Sequence, residues 1–143
     1  MAVVHKTVFV GYSAEQMFAL VDGVEDYPHF LPWCGGVNVQ ERTETSLIAT
    51  LLINYHGIKQ QFTTKNDNQP PHSMQMSLID GPFKQLTGRW KFIELRADAC
   101  KIEFDLNYEF SSKFLEHLIG PVFGKIANSF VDSFCSRAEK VYG

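Results

Sequence analysis

The side chains best suited to act as bases, nucleophiles or metal ligands are five histidines and three cysteines, and their spacing limits what they can do. His5, His29, His56, His72 and His117 are scattered over the whole length. There is no His-Glu-x-x-His pair for zinc, no Gly-x-Ser-x-Gly nucleophile turn and no glycine-rich phosphate loop. His29 and Cys34 are near enough in sequence to pair as base and nucleophile, but no third group orients the base. Cys34 reads better as a small buried apolar residue. Asp22, Glu25 and Asp26 form an acidic cluster that suits a solvated face or the charge complement of a helix start, with metal binding the weaker alternative. No catalytic set and no metal site emerges.

Apolar chemistry is better represented. The segment Tyr27-Pro28-His29-Phe30-Leu31-Pro32-Trp33-Cys34 sets four large apolar groups on a backbone stiffened by two prolines. Two readings stand for it: a core plug at one end of a sheet, or a lid over a hydrophobic cavity. Met74 and Met76 alternate on one strand-like run, and Trp90 and Phe92 on the next. Thioethers adapt equally to irregular ligands and irregular cores. Each residue singly is explained by core filling, whereas together they outline a hollow.

The elements that must position these residues follow from periodicity. Residues 3–10 alternate as a strand. Ser13 and Gln16 form a capping box for a helix that ends at Asp22-Gly23, and a second short helix is expected over 24–30. Strands are predicted over 37–42, 46–55, 58–66, 73–79, 85–95 and 100–110, separated by short turns that imply successive antiparallel hairpins. The last alternates cleanly, with Ile102, Phe104, Leu106, Tyr108 and Phe110 on one side. A long amphipathic helix is predicted over 112–141. Its apolar row runs Phe114, Leu118, Val122, Ile126, Phe130, Phe134, Ala138 and Val141, and Gly120-Pro121 is expected to kink or restart it. The expected fold is α+β: a curved antiparallel sheet of about seven strands wrapped around the C-terminal helix, with two short helices between strands 1 and 2. Curvature makes such a sheet concave, and a ligand cavity follows if one helix does not fill it.

The totals agree. With 143 residues, 45% of them apolar and 20% charged, residues 1–143 read as one globular domain. A net charge of −3 gives no bulk attraction to nucleic acid or anionic membranes. Cys34, Cys100 and Cys135 are odd in number and lack a Cys-x-x-Cys pair, which fits a reducing cytoplasm. No apolar run approaches the roughly 20 residues of a membrane span.

Val24-Glu25-Asp26-Tyr27-Pro28, Phe30-Leu31-Pro32-Trp33-Cys34, Gly81-Pro82-Phe83 and Gly88-Arg89-Trp90-Lys91-Phe92 together resemble one known family. It is the coenzyme Q-binding and ribosome-association toxin family of the START-like, helix-grip superfamily, which also holds polyketide cyclases and lipid-transfer domains. The resemblance covers nearly the whole chain. It implies a hydrophobic tunnel that binds an isoprenoid quinone, above all ubiquinone, with no required cofactor and no catalysis. It further implies a bacterial, cytoplasmic protein in transient contact with the inner face of the membrane. The tunnel is then expected to be lined by Phe30, Leu31 and Trp33 from the rigid segment, and by Phe62, Met74, Met76, Trp90, Phe92 and Phe104 from the sheet. Phe123, Ile126 and Phe130 complete it from the helix, with Asn54 and Tyr108 as donors to the quinone carbonyls. Two alternatives remain open: a toxin that binds the large ribosomal subunit and blocks subunit joining, and an aromatase/cyclase-like enzyme. For the first, Lys59, Lys65, Arg89 and Lys91 are the expected outward basic residues.

Overall fold

The computed structural model describes residues 2–143, and its elements follow the hydrophobic patterning. β1 (Ala2–Val10) leads into α1 (Ala14–Asp22), a 3-10 turn at Val24–Asp26 and the single turn α2 (Tyr27–Phe30). Six strands succeed one another: β2 (Cys34–Arg42), β3 (Ser46–Tyr55), β4 (Ile58–Gln69), β5 (Ser73–Asp80), β6 (Phe83–Arg96) and β7 (Ala99–Phe110). α3 (Lys113–Tyr142) completes the order. Ser13 caps α1 as expected: its hydroxyl accepts from the Gln16 amide at 3.1 Å, and its own amide donates to Gln16 Oε1 at 2.9 Å. Pro28 sits in the first turn of α2, where a missing N–H costs little.

The seven strands form one antiparallel sheet in the order β1-β7-β6-β5-β4-β3-β2. From β2 to β7 consecutive strands are hairpin neighbours, and β1 pairs with β7 at the opposite end of the sequence. The turn between β3 and β4 is two residues long, His56 and Gly57, both left-handed with φ of 50° and 81° as such a turn demands. Register breaks between Cys34 and Gly36, Val39 and Glu41, Thr63 and Thr64, Phe83 and Gln85, and Glu94 and Arg96 bend the strands into a curved sheet.

α3 rests on the concave face, closest to β7, β1 and α1. Its buried residues are Ile119, Phe123, Ile126, Ala127, Val131, Phe134 and Ala138. This corrects the expected apolar row at its start. Phe114 is 73% exposed and Leu118 45% exposed. The helix turns 3.6 residues per revolution, so a row stepped by four rotates about 40° per step and leaves the buried side within a few turns. Nor does α3 restart at Gly120-Pro121, since it runs through Pro121 as one element. β4 extends three residues beyond its expected end, because alternation continues through polar residues that face inward.

Gly88 shapes the concave floor. A Cβ there would stand 2.4 Å from Met76 Cε and 3.3 Å from Leu106 Cδ1, so the bare backbone is what lets Met76 lie across β6.

Candidate ligand cavity

Between α3 and the floor of the sheet lies a cavity of about 60 Å³. β3 contributes Leu51, β4 Phe62 and Thr64, β5 Met76, β6 Leu86, and β7 Phe104 and Leu106. Phe123, Ile126, Ala127 and Phe130 of α3 form its roof, and Trp33 closes one side. Thr64 is the one polar residue in this lining. A second cavity, of about 30 Å³, shares Leu51, Thr64, Met76 and Phe130 and continues past them to Val21, Val24, Tyr27, Leu47, Asn66 and Trp90. The two adjoin at these four shared residues and, taken together, are the hollow. At about 60 Å³ the larger part is far below the 300–1,000 Å³ of occupied small-molecule sites. The hollow is therefore narrow in this conformation.

Aromatic contacts keep it narrow. Phe130 stands 6.0 Å from Trp33, 5.8 Å from Trp90 and from Phe104, and 5.0 Å from Phe134, centroid to centroid. The Trp33 segment is pinned by main-chain bonds: Leu31 N to Tyr27 O at 2.9 Å, Cys34 N to Leu31 O at 3.0 Å, and Asn54 N to Trp33 O at 2.8 Å.

The polar groups at the hollow come from β4. Thr64, Asn66 and Asn68 succeed Phe62 on its inner face, and all three are buried. Asn68 Nδ2 donates to Asp22 Oδ1 at 3.3 Å, whereas Oδ1 of Asn66 and of Asn68 has no hydrogen-bond partner. Asp22 also accepts from Arg42 Nη1 at 3.1 Å, and Glu25 accepts from Arg42 Nη2 at 2.7 Å and Nε at 3.1 Å. The acidic cluster around Asp22 is thus an arginine clamp, not a metal site. Tyr27 donates its hydroxyl to the Val21 carbonyl, and burial, followed by the neighbouring Asp22, holds that hydroxyl protonated far above the usual tyrosine range.

Seven of the fourteen residues expected around a ligand line the larger cavity: Trp33, Phe62, Met76, Phe104, Phe123, Ile126 and Phe130. Trp90 lines the smaller. Leu31, Met74 and Phe92 are fully buried in the core outside both. Phe30 packs on Tyr27 and Phe134 with the Arg137 guanidinium 5.0 Å above its ring. Tyr108 is buried 4.7 Å from Phe123, outside both cavities, and burial raises its pKa. Asn54 is a correction: it is exposed on the convex face, because alternation turns Leu51 and Ile53 inward. The polar residues that do face the hollow, Thr64 and Asn66, were missed with Leu51, Leu86, Leu106 and Ala127. Continuing the two-residue period of β4 from Phe62 would have found the polar pair.

The nucleophile pairing of His29 and Cys34 has no support. Cys34 is buried, its thiol is pushed up by burial, and it donates to the Gly36 carbonyl at 3.5 Å, while His29 is exposed. Among the described residues, no three His, Cys, Asp or Glu side chains converge as a metal site. A broader depression of about 410 Å³ lies on the convex face between Asp67, Gln75, Thr87, Arg89, Asp105 and Asn107. It is larger than the internal hollow, but it is an open polar dish made by outward strand side chains. The inner cavity, less open and almost wholly apolar, is the better ligand site. The basic residues on this convex face are interleaved with acids: Arg89 stands opposite Asp105, and Lys91 opposite Glu103.

A curved antiparallel sheet gripping a C-terminal helix over an apolar hollow defines the helix-grip, START-like class of fold. The crystal structure of the ZhuI aromatase/cyclase from Streptomyces sp. R1128 has it too, with a TM-score of 0.81 at 15% identity, covering 99% of this chain and 96% of that one. The chain belongs to the polyketide cyclase/dehydrase and lipid transport family, whose model matches residues 10–135. It is 45% identical to the ribosome association toxin RatA of Vibrio cholerae over 140 residues, covering 98% of this chain and 97% of that one. It is also 28% identical to the mitochondrial coenzyme Q-binding protein COQ10 homolog B of Xenopus laevis, over 94% of this chain and 57% of that one.

Proposed function

We propose that this protein binds an isoprenoid quinone such as ubiquinone, or a closely similar lipid, between the sheet and α3, and catalyses no reaction on it. The observation that carries this reading is the narrow interior cavity, whose lining is apolar apart from Thr64. Each buried CH₂ contributes about 0.8 kcal/mol, so an isoprenoid tail suffices to drive binding without a charged contact. The relative named as a coenzyme Q-binding protein supports the choice of ligand. Entry requires widening. α3 is anchored towards β7, β1 and α1, so the free side is towards β3, β4 and β5, where Trp33, Phe62 and Met76 stand. Phe114 and Leu118, exposed at the start of α3 beside Lys113, suit transient contact with a membrane surface where such a ligand resides. Liposomes carrying ubiquinone should load the purified protein, and Trp33→Ala should slow loading while the far-UV spectrum stays native. Failure of the wild-type protein to take up quinone or any other lipid from saturating liposomes refutes this reading.

A second reading, association with the large ribosomal subunit, is favoured by the 45% identity to RatA. Lys59, Lys65, Arg89 and Lys91 share the convex face and are its candidate contacts. Reversing all four charges should abolish cosedimentation with the large subunit and leave quinone loading intact; unchanged cosedimentation removes this face from the reading. Either activity belongs in the bacterial cytoplasm.

A further inference from the structure

We propose that Asn66, with Thr64 beside it, anchors the polar end of the ligand and selects a molecule whose apolar body ends in a small, uncharged hydrogen-bonding group. This rests on the ligand-binding reading and adds which end of the ligand goes where. Asn66 is 7% exposed, lines the inner cavity, and its Oδ1 has no partner among the described residues. An amide offers both a donor and an acceptor, and left unpaired in an apolar site it destabilises the empty protein. A ligand hydroxyl seated there donates to Oδ1 and removes that penalty, whereas a ligand carbonyl, itself an acceptor, gains only from the Asn66 Nδ2 or Thr64 hydroxyl donor.

The geometry gives a direction. Asn66 lies in the smaller cavity with Val24, Tyr27 and Leu47, whereas Phe62 and Phe123 line the larger one on the other side of Phe130. Thr64 borders both and marks the passage between them. The polar end therefore sits beneath the turn before α2, and the apolar body leads out past Phe130 towards Phe62 and Phe123. Charge decides the class of head group. Neither cavity is lined by Lys, Arg, His, Asp or Glu, so a carboxylate or phosphate would be buried without a counter-ion. Beyond Asn68, the Arg42 guanidinium is already engaged by Asp22 and Glu25 and is no free counter-ion for an anion at that end. Quinols and isoprenoid alcohols meet these conditions in full, quinones meet them through their uncharged, accepting carbonyls alone, and fatty-acid anions and phospholipids do not meet them.

The test uses the full chain and three probes. A decyl-substituted dimethoxy-methyl-benzoquinone is followed by quenching of Trp33 and Trp90, diphenylhexatriene as a hydrocarbon with no polar end by its own fluorescence, and palmitate by competition. Asn66→Leu should weaken the benzoquinone about tenfold, the loss of roughly one hydrogen bond, and leave diphenylhexatriene binding unchanged. Thr64→Val, close in shape, should weaken the benzoquinone in the same sense and serves should Asn66→Leu not fold. Palmitate should not displace the benzoquinone. Wild-type affinity for the benzoquinone in both variants, or displacement by palmitate, overturns the anchor while leaving the cavity a lipid site. Absence of binding by the wild-type protein to both fluorescent probes overturns the cavity reading and the anchor together.

Discussion

Truncating Phe134 to alanine should cost far more stability than the same change at Phe130, one turn earlier on α3. Phe134 is fully buried, with ring centroids 5.4 Å from Tyr27 and from Phe30, 5.6 Å from Trp90 and 5.0 Å from Phe130. Removing its ring forfeits about 1.5–3 kcal/mol of transfer free energy. It also leaves a void that rings held by other contacts cannot fill, which brings the loss to about 3–5 kcal/mol. Phe130 is partly exposed and borders two existing cavities, so its truncation returns less buried area to water and opens less new void, and about 1–2 kcal/mol is expected. Urea titration reads both. For a slope near 2 kcal/mol per molar, Phe134→Ala should lower the midpoint by about 2 M and Phe130→Ala by about 0.5–1 M. Equal shifts would refute the placement of Phe130 on a cavity wall. A loss below about 1 kcal/mol at Phe134 would refute the seating of α3 on the sheet.

Two further outcomes follow from the interior. Gly88→Ala should push the Met76 thioether into the cavity it lines, weakening quinone binding at a stability cost of about 1 kcal/mol because a methionine end yields easily; unaltered binding in a folded variant counts against the Gly88–Met76 contact. The Cys100 thiol is pushed up to about 11 by burial, with Cys135 and Glu94 adding to it. An unfolded thiol ionises near 8.5, so this contribution to stability is complete below about pH 8.5 and is lost as pH rises towards 11. Urea midpoints across that window should fall less in Cys100→Ala than in the wild-type protein, and equal falls would reject the shift.

The parts of this fold that could be read from residue types were those where one physical signal dominates. The alternation of β7 places Ile102, Phe104, Leu106 and Tyr108 inward, and all four are buried. The capping pair Ser13 and Gln16 starts α1, and the turn at His56-Gly57 joins β3 to β4. What escaped was set by competition between signals. Thr64 and Asn66 fall within the predicted strand but carry polar side chains that usually take the wet face, and Asn68 falls in a predicted turn; the register of β4 with β3 and β5 turns all three inward. Asn54 went to the wrong face because Ile53, not its neighbour, is the inward residue of that stretch. The misplacement of Phe114 and Leu118 came from stepping by four residues along a helix that turns every 3.6. Which large side chains border the hollow and which merely fill the core is decided by the bend of the sheet, and no local pattern encodes that.

The pairing of β1 with β7 sets a timetable for synthesis. His5 lies opposite Asp105, so the first strand finds its only neighbour in the sheet after about a hundred further residues. At 5–20 residues per second the ribosome needs roughly 5–20 seconds to make that stretch. Throughout that interval β1 has both edges unpaired, and Val3 and Phe9 are apolar groups that stay exposed even in the finished sheet. The nascent chain therefore passes through a stage in which its first strand is free to pair with another chain, and that stage ends when β7 arrives.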